Sequence, residues 1–153
     1  MEQALIPIII LVAIALIFDF TNGFHDAANS IATVVATGTL KPRQAVAMAA
    51  AFNFIVMFFI THHVAATIGK GIVNPAVVDF NVIFSCLMGA IAWNLITWYL
   101  GLPTSSSHAL IGGLIGATMC KAGADPLIWD NILRTAAFIV LSPVIGFLLG
   151  AGI

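Results

Sequence analysis

Residues 19–33 read DFTNGFHDAANSIAT, and Asp19, Asn22, Asp26, Asn29 and Thr33 recur there at steps of three, four, three and four. A helix of 3.6 residues per turn places all five on one face. His25 stands one step to the side, and Ser30 borders the other flank. The flanking sequence is of the opposite character: residues 5–18 read LIPIIILVAIALIF, which no aqueous surface would tolerate. Acids at membrane depth are costly and normally face a cavity, a partner or an ion. The stripe therefore marks a functional site inside a membrane.

Composition supports that setting. Hydrophobic residues make up 61% of the 153 and charged residues 7%, against roughly 25% charged in a soluble domain. The mean hydropathy is +1.14. The first apolar run does not read as a signal peptide, because Glu2 replaces a basic lead and no cleavage site precedes the stripe. All five basic residues (Lys41, Arg43, Lys70, Lys121, Arg134) fall in or beside predicted loops. With no basic face, nucleic acid is excluded as a partner. Cys86 and Cys120 lie in or at the end of apolar segments, which argues against a disulfide scaffold or a metal site.

Five apolar blocks follow: Ala4–Thr37, Arg43–Thr61, Asn81–Leu100, Thr104–Cys120 and Ile132–Ile153. A helix over the first block would be about 50 Å long, against a hydrocarbon core of about 30 Å. Gly23 beside Asn22 predicts a break near Thr21–Gly23. The fourth block is short, follows Pro103 and is rich in glycine and hydroxyls, which suits a re-entrant or half-helix. Pro42 sits near the start of the second helix, where it costs least. Trp93, Trp98 and Tyr99 cluster where an aromatic belt would lie. Lys41 and Arg43, in the shortest loop, argue that this loop is cytoplasmic, although Lys70 and Lys121 blur the rule. The fold expected is an all-α integral membrane protein of about five helical segments, one of them broken and one re-entrant. Residues 1–153 form a single transmembrane unit. No internal repeat is visible, yet five crossings are what one half of an inverted-repeat transporter needs. The chain stops at GFLLGAGI, within apolar sequence, and reads as a piece of a longer protein.

A second constellation, GLPTSSSHALIGGLIGA, occupies residues 101–117. Pro103 followed by Thr104, Ser105, Ser106 and Ser107 is a strong helix start. A helix N-terminus offers unpaired N–H groups and partial positive charge, an anion site to which the hydroxyls add donors. His108 shares a face with Ser105. The spacing of Gly112 and Gly116 predicts close approach to a neighbouring helix. Such a seat contains no lysine or arginine, and Asp19 and Asp26 would repel an anion. Anion and cation, or proton, must then bind together, which is the logic of symport. A membrane-embedded hydrolase using Ser105, His108 and Asp26 is the competing chemistry, but no nucleophile elbow is present. A purely structural helical subunit would leave the aligned stripe unexplained.

Other polar residues have plainer readings. Thr61, Thr97 and Ser142 are expected to bond their own backbone or glue helices. Asn53 and Asn94 are open between packing and site lining. His62 and His63 read as interfacial, Asp79, Asp125 and Asp130 as loop acids, and the two cysteines as small apolar fillers.

In NGFHDAANSIAT (22–33) and LPTSSSHALIGG (102–113) the sequence resembles the inorganic phosphate transporter (PiT) family, as it does in LKPRQAVAMAAAFNF and AWNLITWYLGLP. The resemblance implies a secondary transporter of two inverted repeats, with this chain as the first and the second repeat missing. It places the signature aspartate on Asp26, with Asn22 and Asn29 beside it, and the anion motif on Ser105, Ser107 and His108. It implies symport of inorganic phosphate across the cell membrane, with H+ or Na+ as coupling cation or with a divalent metal carried as metal-phosphate. No resident cofactor is implied, and a homodimer is possible within the family. Asp19, His25, Asp26, Asn29 and Asn53 are the expected coupling-ion residues. Asn53 stands where many animal members carry glutamate, and His25 is shared with bacterial low-affinity carriers that resemble proton-coupled systems. Sulfate carriers also occur in the family.

Overall fold

The structure, a computed structural model, describes residues 2–56, 58–59 and 71–152, with side chains from residue 5 onward. Thr61, His62, His63 and Lys70 lie outside the described residues. Five α-helices are seen among the described residues: α1 (Glu2–Ala36), α2 (Pro42–Val56), α3 (Phe80–Tyr99), α4 (Ser106–Ala122) and α5 (Trp129–Ala151). A 3-10 turn spans Pro75–Val77. Helices α1, α3 and α5 are long and apolar enough to cross a membrane, and Pro42 opens α2 as expected.

The expected break in the first block is absent: α1 runs unbroken through 35 residues. Thr21 turns its hydroxyl back onto the Phe18 carbonyl at 2.8 Å, so its polarity stays within the helix. A lone glycine costs a helix about 1 kcal/mol relative to alanine. Breaking the backbone ladder in hydrocarbon would cost several kcal/mol for each unpaired group. Continuity therefore wins. At about 52 Å, α1 exceeds the hydrocarbon thickness and must tilt or project from it.

Helices α3 and α4 form an antiparallel hairpin. The turn is built by sequence: Leu100 caps α3, Gly101 adopts φ 67°, and Pro103 follows. The amide of Gly101 donates to the Trp98 carbonyl at 3.1 Å and that of Leu102 to the Thr97 carbonyl at 2.9 Å. This pair of bonds is a Schellman motif, which requires the left-handed residue that glycine supplies. Ser105 then caps α4, its side chain accepting from the His108 amide.

Helix packing inside lipid gains little from hydrophobic burial and depends on close contact. The glycine that provides it is Gly113, where an added Cβ would stand 2.6 Å from the Cys86 carbonyl oxygen. Gly112 and Gly116, expected in that role, have nothing within 4 Å. The helical phase explains the correction. Leu110 and Leu114, which flank Gly113 on α4's buried face, pack towards α3 with Val82 and Cys86. Gly112 instead faces a cleft shared with Gly89.

The hairpin lies along the first part of α1. Phe18 of α1 clusters with Leu87, Ala90 and Ile91 of α3, and Ile14, Ala15, Ala109 and Leu110 pack around them. Further along, Thr97 meets His25 and Trp98 packs edge-on to Phe24 with centroids 5.4 Å apart. The α1 and α3 numbers rise together, so those helices are parallel. The hairpin tip stops at the level of His25, and roughly eleven residues of α1, about 16 Å, continue beyond it beside α2.

The far end of the hairpin is clamped. Lys121 pairs with Asp79 at 2.8 Å and donates to the Val77 carbonyl at 3.0 Å. Asp79, expected only as a loop acid, also caps α3 by accepting from the Val82 amide. Val73 bridges to Leu127, and Asn131 reaches the Gly71 carbonyl at 2.8 Å.

Candidate functional site

The tip of the hairpin carries the second sequence constellation to the first. Ser106 is buried, and its hydroxyl donates to Asn22 Oδ1. The Ser106 hydroxyl oxygen also lies 3.3 Å from Asp26 Oδ2. The two motifs, about eighty residues apart in sequence, are thus joined through one serine. Because Ser106 is the first residue of α4, this contact sets the positive end of the α4 dipole beside the Asp26 carboxylate. Among the described residues no lysine or arginine pairs with Asp26.

Asn22 and Asp26 also line an open cleft of about 890 Å³ between α1 and α2. Asn53 of α2 faces the same cleft, so it shares space with Asp26. Ser30 lines it too, whereas Asn29 does not. The stripe therefore divides. Its middle, Asn22 and Asp26, is partly buried and faces the hairpin tip and the cleft, while Asp19, Asn29 and Thr33 are exposed.

His25 turns the other way and is buried against α3. Its Nε2 lies 3.4 Å from Thr97 Oγ1, and Thr97 Oγ1 lies 3.0 Å from Thr104 Oγ1 at the hairpin tip. Thr97 was expected to satisfy its own backbone. It does, donating to the Trp93 carbonyl at 2.9 Å, and it also links His25 to Thr104. Asn94, one turn earlier on the same face, is 1% exposed, and neither its side-chain Nδ2 nor its Oδ1 has a hydrogen-bond partner among the described residues. The signal for this pair was present in the sequence. Asn94 and Thr97 are three apart in an apolar helix, in phase with Ala90.

The remaining tip residues are not gathered at Asp26. Ser105 is engaged as the α4 cap, accepting from the His108 amide at 3.4 Å. Ser105 and His108 line a second cleft of about 540 Å³ with Thr104, Gly89 and Trp93, and His108 also borders a smaller one with Thr135 and Ser142 of α5. Ser107 is exposed. A triad of Ser105, His108 and Asp26 is not assembled, because the acid meets Ser106 instead.

Long apolar helices and a buried polar seam at a hairpin tip define a multi-pass membrane protein. Residues 22–153 match the model of the phosphate transporter family, and the chain belongs to that family. A Rhizobium meliloti protein described as a "probable low-affinity inorganic phosphate transporter" is 58% identical over 139 residues, covering 91% of this chain and 42% of its own. A Bacillus subtilis protein of the same description is 49% identical, with 98% of this chain and 45% of its own covered. The Escherichia coli low-affinity inorganic phosphate transporter PitA is 35% identical over 95% of this chain and 32% of its own. A solved structure, the sodium-dependent phosphate transporter, superposes with a TM-score of 0.85 at 33% identity over 93% of this chain and 36% of its own. The chain spans less than half the length of these relatives.

Proposed function

We propose that this chain is the first of two inverted repeats in a carrier that moves inorganic phosphate together with a cation across the cell membrane. The observation that carries the reading is the Ser106 hydroxyl bridging Asn22 and Asp26. It brings a hydroxyl-rich helix N-terminus, suited to tetrahedral oxygens, against a carboxylate that would repel them. A cation or proton held by Asp26, Asn22 and Asn53 removes that repulsion, so anion and cation stabilise one another. Neither binds well alone, which couples their movement.

Phosphate is favoured over sulfate by the descriptions of the relatives, all of which specify phosphate. A metal-phosphate complex fits the same logic, since a divalent cation would sit between Asp26 and the anion. Alternating access follows if this half rocks against a second repeat, and discontinuous elements meeting at mid-membrane are how such carriers build their sites. No acyl- or phosphoryl-transfer chemistry is required, and the relatives are described as transporters, not enzymes.

The deciding experiment is uptake of labelled phosphate and sulfate into proteoliposomes holding the full-length protein that contains this chain, with proton and sodium gradients imposed separately. Phosphate uptake driven by either gradient, lost in Asp26→Asn at unchanged expression, supports the proposal. Full uptake by Asp26→Asn would sink the assignment of that residue.

A further inference from the structure

Helices α1 and α2 meet at one end and part at the other. The turn between them is short and ordered. Gly38, at φ 71°, gives its amide to the Val35 carbonyl at 3.0 Å, and the Leu40 amide donates to the Val34 carbonyl at 3.3 Å. Ala45, in the first turns of α2, is fully buried. Beyond it α2 is exposed apart from half-buried Ala49, and the open cleft of about 890 Å³ lies between the two helices. Such a volume suits a drug-sized molecule, far more than a phosphate ion and its cation fill.

The two walls suit close approach. Gly23, Ala27 and Ser30 line the α1 side, and Ala49, Ala50 and Asn53 line the α2 side. An added Cβ at Gly23 would meet nothing within 4 Å. No contact in this arrangement therefore accounts for a glycine inside a long helix, where it is less stable than alanine. Small residues facing one another on two membrane helices let the backbones come together. One group opposes closure. Asp26 and Asn53 stand about equally far from the turn, on opposite walls, and the Asp26 side chain is 47% exposed. The groups around it from α4 and α2, Ser106 and Asn53, are neutral, and His25 Nδ1 stands 3.5 Å off without a hydrogen bond. Closing the cleft strips water from that carboxylate, and an unpaired charge resists leaving water.

We infer that α2 is a gate that swings about its contact at Ala45 to close over Asp26, and that the charge on Asp26 holds it open until that charge is neutralised. This rests on the transport reading above and deepens it by giving the cleft a moving wall and a condition for its movement. Phosphate without a cation only adds negative charge beside Asp26, so the gate stays open and the anion does not cross alone. A cation or proton on Asp26 removes the obstacle, and Ala49 and Ala50 then settle against Gly23 and Ala27.

The test places Ala27→Cys and Ala50→Cys in the full-length protein and times disulfide formation under a fixed oxidant at fixed pH. The bond requires Cα atoms within about 7 Å, so its rate reports closure. The protein carrying only Cys86 and Cys120, neither of which lines the cleft, is the blank. In choline chloride without phosphate, adding Asp26→Asn should speed the bond at least tenfold. Inorganic phosphate alone should leave the rate slow while Asp26 is intact. Equal rates with and without Asp26→Asn overturn the gate, and so does full-rate closure with phosphate alone. Absence of the bond under every condition also overturns it and shows that another part of the protein fills the cleft. These comparisons need no transport, so they decide the gate even if neither gradient drives phosphate uptake and the transport reading fails. Where uptake is present, Ala50→Phe should prop the cleft and lower it at least tenfold. Ala51→Phe, at an exposed position outside the cleft, should stay within twofold. Equal effects of the two overturn the gate.

Discussion

Gly113 of α4 lies so close to Cys86 of α3 that a Cβ there would stand 2.6 Å from the Cys86 carbonyl oxygen. The obstructing atom belongs to the backbone, so a larger residue can be accommodated only by moving one helix. Gly113→Ala is expected to cost about 1–3 kcal/mol, the usual range for overpacking, and to lower Tm in detergent by several degrees. Gly112→Ala and Gly116→Ala, which meet nothing within 4 Å, should leave Tm unchanged. Equal effects at all three positions would contradict this packing.

Ser106 and Ser105 are neighbours with different work. Replacing Ser106 by alanine removes the donor to Asn22 and Asp26, and stranding such acceptors costs about 1–3 kcal/mol. Phosphate uptake by Ser106→Ala should fall about tenfold or more, since 1.4 kcal/mol is a factor of ten. Ser105→Ala loses the α4 cap, worth about 1 kcal/mol. Its effect should register mainly as a lower Tm, with phosphate affinity nearly kept. A larger transport defect in Ser105→Ala than in Ser106→Ala would reverse the assignment.

Asp79 and Lys121 predict a pH dependence. The hydrogen bond from Lys121, and then that from the Val82 amide, hold the Asp79 carboxyl below its ordinary value of 3.8. A carboxyl depressed in the folded state contributes stability that is fully present above the unfolded value and is lost as pH falls through the folded one. Tm curves of the wild type and Asp79→Asn, which keeps a capping oxygen but no charge, should differ at pH 7. They should converge below about pH 4. Curves that stay apart under acid would show that the pair is not the cause.

How far the sequence carried can be judged at particular residues. The helices were legible because period and composition agree: a polar stripe at steps of three and four, Pro42 at a helix start, and Gly101–Pro103 at a turn. The break at Gly23 was misjudged because the length of α1 was weighed without the cost of opening a backbone ladder in lipid. At the site, Asn22 and Asp26 were legible from spacing, and Ser106 was named among the tip hydroxyls. Which of four consecutive hydroxyls meets the acid was not legible, because one position along a helix turns a side chain by about 100°. Thr97 has a visible helical partner in Asn94, but its contacts across the interface are not legible for another reason. A threonine that bonds its own backbone looks complete until the fold sets His25 and Thr104 beside it.

The hairpin tip ends beside His25 with a further length of α1 running past it, and a bilayer that covers that length puts Asp26 at a depth inside it, away from either surface. A charge that reaches this carboxylate has therefore moved through part of the membrane's electric field. Full passage is worth about 2.3 kcal/mol per charge for each 100 mV, and binding alone takes a share of it. If the proposed carrier holds its coupling ion at Asp26, occupancy of the site becomes a function of membrane voltage before any helix has moved.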